Sequence, residues 1–186
     1  EKLRAEKPED KMAVFAVLMR LREICCDPRL VADNWDGGSA KLDACMELVT
    51  AAVEGGHRIL LFSQFTSMLE LLAKRLDEAG VSHFTLQGST PKPVRAELVR
   101  RFNSGEADVF LISLRAGGTG LNLTAADIVI HYDPWWNVAA QNQATDRAYR
   151  IGQRNPVQVY KLIAQDTIEE KIVELQQAKQ DLAETV

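Results

Sequence analysis

The sequence is poor in the features that mark several common classes of protein. Its 186 residues contain three cysteines with no CxxC spacing, which predicts buried reduced thiols and argues against a disulfide scaffold or a metal site. No apolar run approaches the length of a membrane span, and the charged start from Glu1 to Asp10 lacks the apolar segment of a signal peptide. We therefore expect a soluble, intracellular chain with no membrane contact and no metal ligands.

Motifs of several enzyme classes are also missing. The sequence has no GxxxxGK[ST] stretch. That motif forms the phosphate-binding loop, whose lysine and hydroxyl hold a nucleotide's phosphates and magnesium. There is no Gly-x-Ser-x-Gly elbow, and His57, His83 and His131 have no catalytic partner pattern. A strand-GxGxxG-helix opening with a later acidic residue is absent too. A Rossmann-type small-molecule enzyme is therefore a weak hypothesis.

The formal net charge of -4 comes from the end of the chain. Residues 162–186 contain six acidic residues and two lysines, whereas residues 1–161 are formally neutral. Within the neutral part, arginines and lysines gather in residues 92–115 and 147–161. Charge therefore permits binding to nucleic acid without indicating it.

Short apolar runs alternate with helical patterns after Arg58. Because these runs are apolar on both faces and separated by helices, they predict a parallel sheet covered on both sides, which is a three-layer α/β domain. Earlier helices are predicted at about 10–26 and from a Ser39 cap to about 54, and a last helix from a capping box at 167–170. The predicted strands are 59–62, 81–86, 109–112, 128–132 and 157–163, and the helices between them are 66–79, 91–103 and 138–150.

Four polar or glycine-rich turns follow the predicted strands, where ligands of such sheets bind, at 63–64, 87–90, 113–120 and 133–137, and three of them each allow two interpretations. Residues 116–120 have three glycines after Arg115, which suits either a tight turn or a loop that contacts phosphate. Residues 88–90 precede a helix, so they form either a plain capped start or a backbone-phosphate contact. Trp135 and Trp136 lie in the last of these turns, where packing competes with stacking on a base or wedging into a groove.

Residues 143–153 contain the two best catalytic candidates. On a helix, Gln143, Arg147 and Arg150 share one face, while Ala144 and Ala148 share another that suits packing. Two guanidinium groups on one stripe suit a polyphosphate whose charge grows during reaction, as an arginine finger does. The alternative is a solvated helix face with two ordinary arginines.

Taken in order, these stretches closely resemble the carboxyl-terminal helicase lobe of Swi/Snf-type ATPases, in superfamily 2. The resemblance covers about residues 12–175. It implies a RecA-like parallel sheet flanked by helices, the fold of P-loop NTPases, here without its own Walker A motif. It also implies a two-lobed motor that hydrolyses ATP with magnesium at the lobe interface and moves along double-stranded DNA. The stretches that carry it are 60–66, 88–90, 114–123, 132–137 and 143–153.

The resemblance implies a role for each matching residue. Arg147 and Arg150, with Gln143, would be the catalytic group that stabilises charge on the transferred phosphate. Gly118, Gly120, Asn122 and Asp146 would lie near the nucleotide. The predicted DNA contacts are Ser63, Gln64, Gly88, Ser89, Thr90, Arg115, Thr119, Trp135 and Trp136. The chain departs from the family pattern at Val138, Gln141 and Tyr149.

The predicted division of the chain is a helical lead-in segment at 1–38, a RecA-like domain at 39–165 and a bracing helix at 166–186. The resemblance makes it a fragment whose partner is an amino-terminal ATPase lobe of the same polypeptide, so we expect negligible ATP hydrolysis by it alone. Other expected partners are duplex DNA and a DNA-bound protein target, in a nucleoid or a nucleus. The alternative is a freestanding nucleic-acid-binding module without catalysis.

Overall fold

Five short segments form one parallel sheet in the computed structural model of this chain, which describes residues 8–116, 121–148 and 156–184. The strands are β1 (Ile59–Ser63), β2 (His83–Leu86), β3 (Val109–Ser113), β4 (Ile128–His131) and β5 (Gln158–Lys161). The order across the sheet is β2-β3-β1-β4-β5, and each neighbouring pair is parallel. The predicted α/β class and parallel sheet are therefore confirmed.

Helices cover both faces of this sheet. They are α1 (Pro8–Cys26), α2 (Ala40–Glu54), α3 (Thr66–Glu78), α4 (Lys92–Asn103), α5 (Val138–Thr145) and α6 (Ile168–Glu184), with a short 3-10 turn at Pro28–Leu30. Alternate residues of a strand point to opposite faces, and β1 follows this rule. Ile59 and Leu61 pack in one core with α2 and α3, whereas Leu60 and Phe62 pack in a second core with α4 and α5.

Two predicted helix caps form as the sequence indicates. The Ser39 hydroxyl accepts a hydrogen bond from the Leu42 amide at 3.3 Å, and the Asn137 side chain accepts one from the Ala140 amide at 3.3 Å. Each cap satisfies a donor that the first helical turn leaves without an intrahelical partner. None of the described helices has the length and apolar content needed to cross a bilayer.

The helix predicted over 138–150 is shorter than expected. It ends at Thr145, and the amide of the capping residue Asp146 bonds back to the Asn142 and Ala144 carbonyls. The Arg147 and Ala148 amides then make turn-like bonds to the Ala144 and Thr145 carbonyls. The prediction that Gln143 and Arg147 share one helical face is therefore wrong, because the chain leaves the helix between them.

His131, the last residue of β4, is buried beneath α5. Its Nε2 lies 2.9 Å from the Thr145 hydroxyl, which itself donates to the Gln141 carbonyl at 3.3 Å. The hydroxyl proton is thus engaged, so the histidine is the donor and carries its proton on Nε2. Its Nδ1 has no hydrogen-bond partner in the described part of the chain. Burial, with a smaller effect of Lys161, lowers the pKa of His131 to about 4.

This lowered pKa predicts acid sensitivity. Between about pH 6.5 and pH 4 the unfolded chain binds a proton at His131 that the folded chain does not, so the free energy of unfolding falls as pH falls. From pH 7 to pH 5, His131→Gln should lose roughly 2 kcal/mol less stability than wild type. Urea unfolding of both proteins at each pH checks this. An equal loss in the two proteins would contradict a buried, neutral His131.

Candidate nucleic-acid interface

A cleft of about 540 Å³ lies at the carboxyl ends of β1 and β3. Five of the residues that the sequence predicts as DNA contacts line it: Gln64, Gly88, Ser89, Arg115 and Trp135. They come from turns that are far apart in the chain, and the parallel sheet brings those turns to one edge. The side-chain nitrogen Nε2 of Gln64 is shielded from solvent and has no hydrogen-bond partner among the described residues.

Ser63 lies beneath this cleft. It is 0% exposed, and its hydroxyl donates a hydrogen bond of 2.6 Å to the Asp133 carboxylate. The same carboxylate accepts the Gln64 amide at 3.3 Å, and the Ser63 hydroxyl accepts the Phe65 amide at 3.2 Å. Ser63 thus holds the turn that carries Gln64, and it does not reach the cleft surface in this structure.

The Asp133 carboxylate follows β4 and is buried. Burial raises its pKa to about 6, although the hydrogen bond from Ser63 and the nearby charges of Lys41 and Arg22 act in the opposite direction. Two donors at the end of β1, the Ser63 hydroxyl and the Gln64 backbone amide, stabilise the charged form of this carboxylate. Asp133 therefore ties the turn after β1 to the turn after β4.

Arg95 of α4 organises the loop at 87–90. Its guanidinium donates to the carbonyls of Thr90 at 2.7 Å, Gly88 at 2.8 Å and Gln87 at 3.3 Å. The Thr90 hydroxyl accepts the Gln87 amide at 3.0 Å. The side chains of Arg95 and Thr90 therefore fix the backbone of the loop, while Gly88 and Ser89 line the cleft.

Arg115 supplies an exposed cation at the cleft. It lies two residues after the end of β3, and the hydroxyl of Ser113, the last residue of that strand, accepts the Ala116 amide at 3.2 Å. The predicted nucleotide and DNA residues Gly118, Thr119 and Gly120 lie outside the described residues, as do Tyr149 and the second predicted finger, Arg150.

Trp135 and Trp136 are both half-buried. The Gln141 side-chain oxygen accepts the Trp135 amide at 3.2 Å and lies 3.4 Å from the Gln176 side-chain nitrogen, which also donates to the Trp135 carbonyl. The Trp135 backbone is therefore fixed by α5 and α6 together. The Trp135 ring packs against the core on the α4–α5 side of the sheet, so one edge of the ring is structural and another faces the cleft.

Arg147 is the described member of the predicted finger pair, and it is only 2% exposed. Its carbonyl accepts the Leu123 amide at 3.3 Å, which places it under the segment that follows residue 120. Gln143, Asp146 and Asn122 are exposed; the first two are near Arg147 in the chain, and Asn122 directly precedes its hydrogen-bond partner Leu123. Within the described residues, no group of three or more His, Cys, Asp or Glu side chains is arranged to hold a metal.

Sequence reasoning missed three side chains that build this region, namely Arg22, Gln141 and Gln176. Each is nearly buried, with exposures of 1%, 2% and 7%. Helical spacing could have found Arg22, because it shares a face with Met19 and Cys26, which pack toward the core. An arginine on such a face signals a buried partner.

A family model described as the helicase conserved C-terminal domain matches residues 40–152. Among similar proteins, the putative ATP-dependent helicase/translocase YwqA of Bacillus subtilis is 43% identical, with the match covering 95% of this chain and 20% of that protein. The SWI/SNF-related matrix-associated actin-dependent regulator of chromatin subfamily A member 1 of Mus musculus is 39% identical, with 91% of this chain and 18% of that protein covered.

A solved structure is similar as well. The C-terminal part of the Fun30 ATPase domain superposes with a TM-score of 0.71 and is 34% identical, covering 84% of this chain and 53% of that one. This chain spans only 18 to 20% of the length of the two curated relatives described above.

The buried Asp133 predicts a pH-dependent effect of Ser63→Ala. Removing the donor raises the Asp133 pKa further, because the hydrogen bond lowers it. The variant should lose about 1–3 kcal/mol of unfolding free energy at about pH 7.5, where the carboxylate is charged, and less at about pH 5, where it is protonated. Urea unfolding at both pH values measures this.

Ser113→Ala is the matched control, because Ser113 pairs with Ser63 across β1 and β3 while its hydroxyl serves a backbone amide. Its loss should not change with pH. A Ser63→Ala loss that is the same at both pH values would contradict the assigned bond to a charged Asp133.

Proposed function

This chain belongs to the helicase conserved C-terminal domain family, and from that premise we propose that it is the second lobe of a Swi/Snf-type, DNA-dependent ATPase translocase. Its relatives include proteins named as ATP-dependent helicases and a SWI/SNF-related regulator. In this proposal the other lobe binds ATP with magnesium, and this lobe supplies part of the duplex-binding groove and the arginines that act on the phosphates.

The observation that carries the DNA-binding part is the cleft itself. Residues from the turns after β1, β2, β3 and β4 line one cavity, although the sequence predicted each of them separately. The exposed guanidinium of Arg115 and the Ser89 hydroxyl are donors of the kind that contact phosphate oxygens, and Gln64 lines the cleft with them. Such contacts do not depend on base sequence, which suits a protein that moves along DNA.

The catalytic part of the proposal rests on Arg147 and Arg150, with Gln143. Hydrolysis transfers the terminal phosphoryl group of ATP to water, and a guanidinium stabilises the charge that spreads over its oxygens. Gly118, Gly120, Asn122 and Asp146 are proposed to lie beside the nucleotide. Because Arg147 is 2% exposed in this structure, docking of the ATP-binding lobe must bring its guanidinium to the surface.

That burial also favours a second candidate function, a nucleic-acid-binding module without catalytic duty. In this alternative Arg147 is a packing residue of the turn after α5, and the cleft binds nucleic acid without ATP hydrolysis. The two functions differ in what Arg147 and Arg150 do for turnover, and they agree on duplex binding.

The cleft predicts the effect of Arg115→Ala. The substitution should weaken duplex binding about tenfold and lower the slope of log affinity against log salt by about 1, because one phosphate contact is lost. Titration of a labelled duplex by fluorescence anisotropy at several salt concentrations measures both values. Lys74→Ala removes an exposed lysine of α3 that does not line the cleft, so it should leave both values unchanged. Equal effects of the two substitutions would exclude the cleft as the binding site.

The finger assignment predicts a defect in the chemical step. In the natural polypeptide that contains this chain, Arg147→Ala and Arg150→Ala should each reduce DNA-stimulated turnover on the order of a thousandfold, with little change in the ATP concentration for half-saturation. The pure 186-residue chain should hydrolyse ATP no faster than background. Phosphate release assays measure both.

Two controls accompany that assay. Because Arg147 is buried, urea unfolding must first establish that each variant is folded under assay conditions. Arg100→Ala, which removes an exposed arginine paired with Glu97 on the surface, should turn over like wild type. Turnover indifferent to Arg147 and Arg150 would favour the binding module instead.

A further inference from the structure

Arg22 of α1 is among the largest fully buried side chains in the described part of the chain, with 1% exposure. Removing a guanidinium from water is costly unless hydrogen bonds and an opposite charge replace its hydration. Its Nη2 donates to the Pro134 carbonyl at 2.7 Å and lies 3.9 Å from the Asp133 carboxylate. The turn after β4 thus provides both groups that replace the lost hydration.

The same guanidinium contacts two aromatic rings. Its central carbon lies 5.7 Å from the centre of the Phe65 ring and 5.2 Å from the centre of the Trp136 ring. Both distances fall within the range of cation–π attraction. Phe65 follows Gln64 in the turn after β1, and Trp136 follows Trp135 in the turn after β4. Arg22 therefore bridges two turns that line the cleft, while its own side chain does not line it.

These contacts complement those of Gln141 and Gln176. The two glutamines fix the backbone of Trp135 from α5 and α6, whereas Arg22 reaches the ring of Trp136 and the carbonyl of Pro134 from α1. The position of the tryptophan turn relative to Gln64 thus depends on a residue from the segment that precedes the sheet.

We propose that Arg22 is a positioning residue for duplex binding, because it sets the distance between the Gln64 turn and the Trp135–Trp136 turn on the two sides of the cleft. The proposal rests on the proposed function of the cleft. Burial alone does not require an arginine here, since a well-packed apolar group often stabilises a fold as well as a buried ion pair does. Its planar fork bonds a carbonyl while the group contacts two rings, which lysine cannot reproduce.

The first test measures the environment of Trp136, in the turn after β4, without DNA. The chain is labelled with fluorotryptophan, and its fluorine resonances are assigned with Trp136→Phe. Arg22→Met and Arg22→Lys should both shift the Trp136 resonance. Arg20→Met, which removes an exposed arginine of the same helix, should not shift it. An unmoved Trp136 resonance in both Arg22 variants would overturn the proposal.

The second test measures duplex affinity at one fixed salt concentration. Arg22→Met should raise the dissociation constant about tenfold in the wild-type background and less than about twofold in a Trp136→Ala background, because the effect passes through that ring. An equal fold-increase of the dissociation constant in the two backgrounds would overturn the proposal, since Arg22 would then act elsewhere or merely support the fold.

Arg22→Met leaves the Asp133 charge buried without its cation, which can prevent folding. The charge-neutral double variant Arg22→Met with Asp133→Asn avoids this, because asparagine still accepts the bonds from Ser63 and Gln64. It should show the same loss of affinity and the same dependence on Trp136.

A wild-type chain that binds no duplex at all would overturn the proposed function of the cleft. A wild-type chain that binds well, with Arg22 variants that bind equally well, would overturn only the role of Arg22.

Discussion

The buried carboxylate of Asp133 has more bearing on this cleft than any exposed residue does. It accepts the Ser63 hydroxyl at 2.6 Å and the Gln64 amide at 3.3 Å, and it lies 3.9 Å from Arg22. Through these contacts β1, β4 and α1 meet at one point beneath the cleft surface. A buried charge is tolerated only where several donors converge on it, so the geometry of the cleft and the solvation of Asp133 depend on each other.

The parallel sheet, and the succession of strands and helices along the chain, could be predicted because they follow from local pattern. The residues of β1 and β3 are all buried, which is why the sequence there is apolar up to the serine that ends each strand. Ser39 and Asn137 cap helices through bonds to residues three positions later, and such local bonds are readable from sequence. The end of α5 at Thr145 was not predictable in this way. Nothing in the local pattern breaks the helix, and the turn after it instead bonds to the distant residue Leu123.

The same difference between local and distant contacts decides which parts of the site could be predicted. Turns that follow strands could be identified as ligand-binding, because the carboxyl ends of parallel strands meet at one edge, and five predicted residues do line one cleft. The burial of Ser63 and Arg147 could not be predicted, since it depends on residues about seventy and twenty-four positions away, Asp133 and Leu123. Helical spacing marks Arg22 as a residue of the buried face of α1, but its hydrogen-bond partner Pro134 is 112 positions distant and could not be predicted.

The proposed function places duplex DNA in the cleft beyond β1 and β3. Backbone hydrogen exchange of the chain, measured by mass spectrometry with and without a duplex, tests it most directly. Binding should slow exchange in residues 64–67, 87–90 and 135–136. Exchange in the groove between α2 and α3, which is lined by Asp43, Glu47 and Glu54, should be unchanged because like charges repel DNA there. Slowed exchange confined to that groove, or slowed exchange at none of the three turns, would contradict the claim.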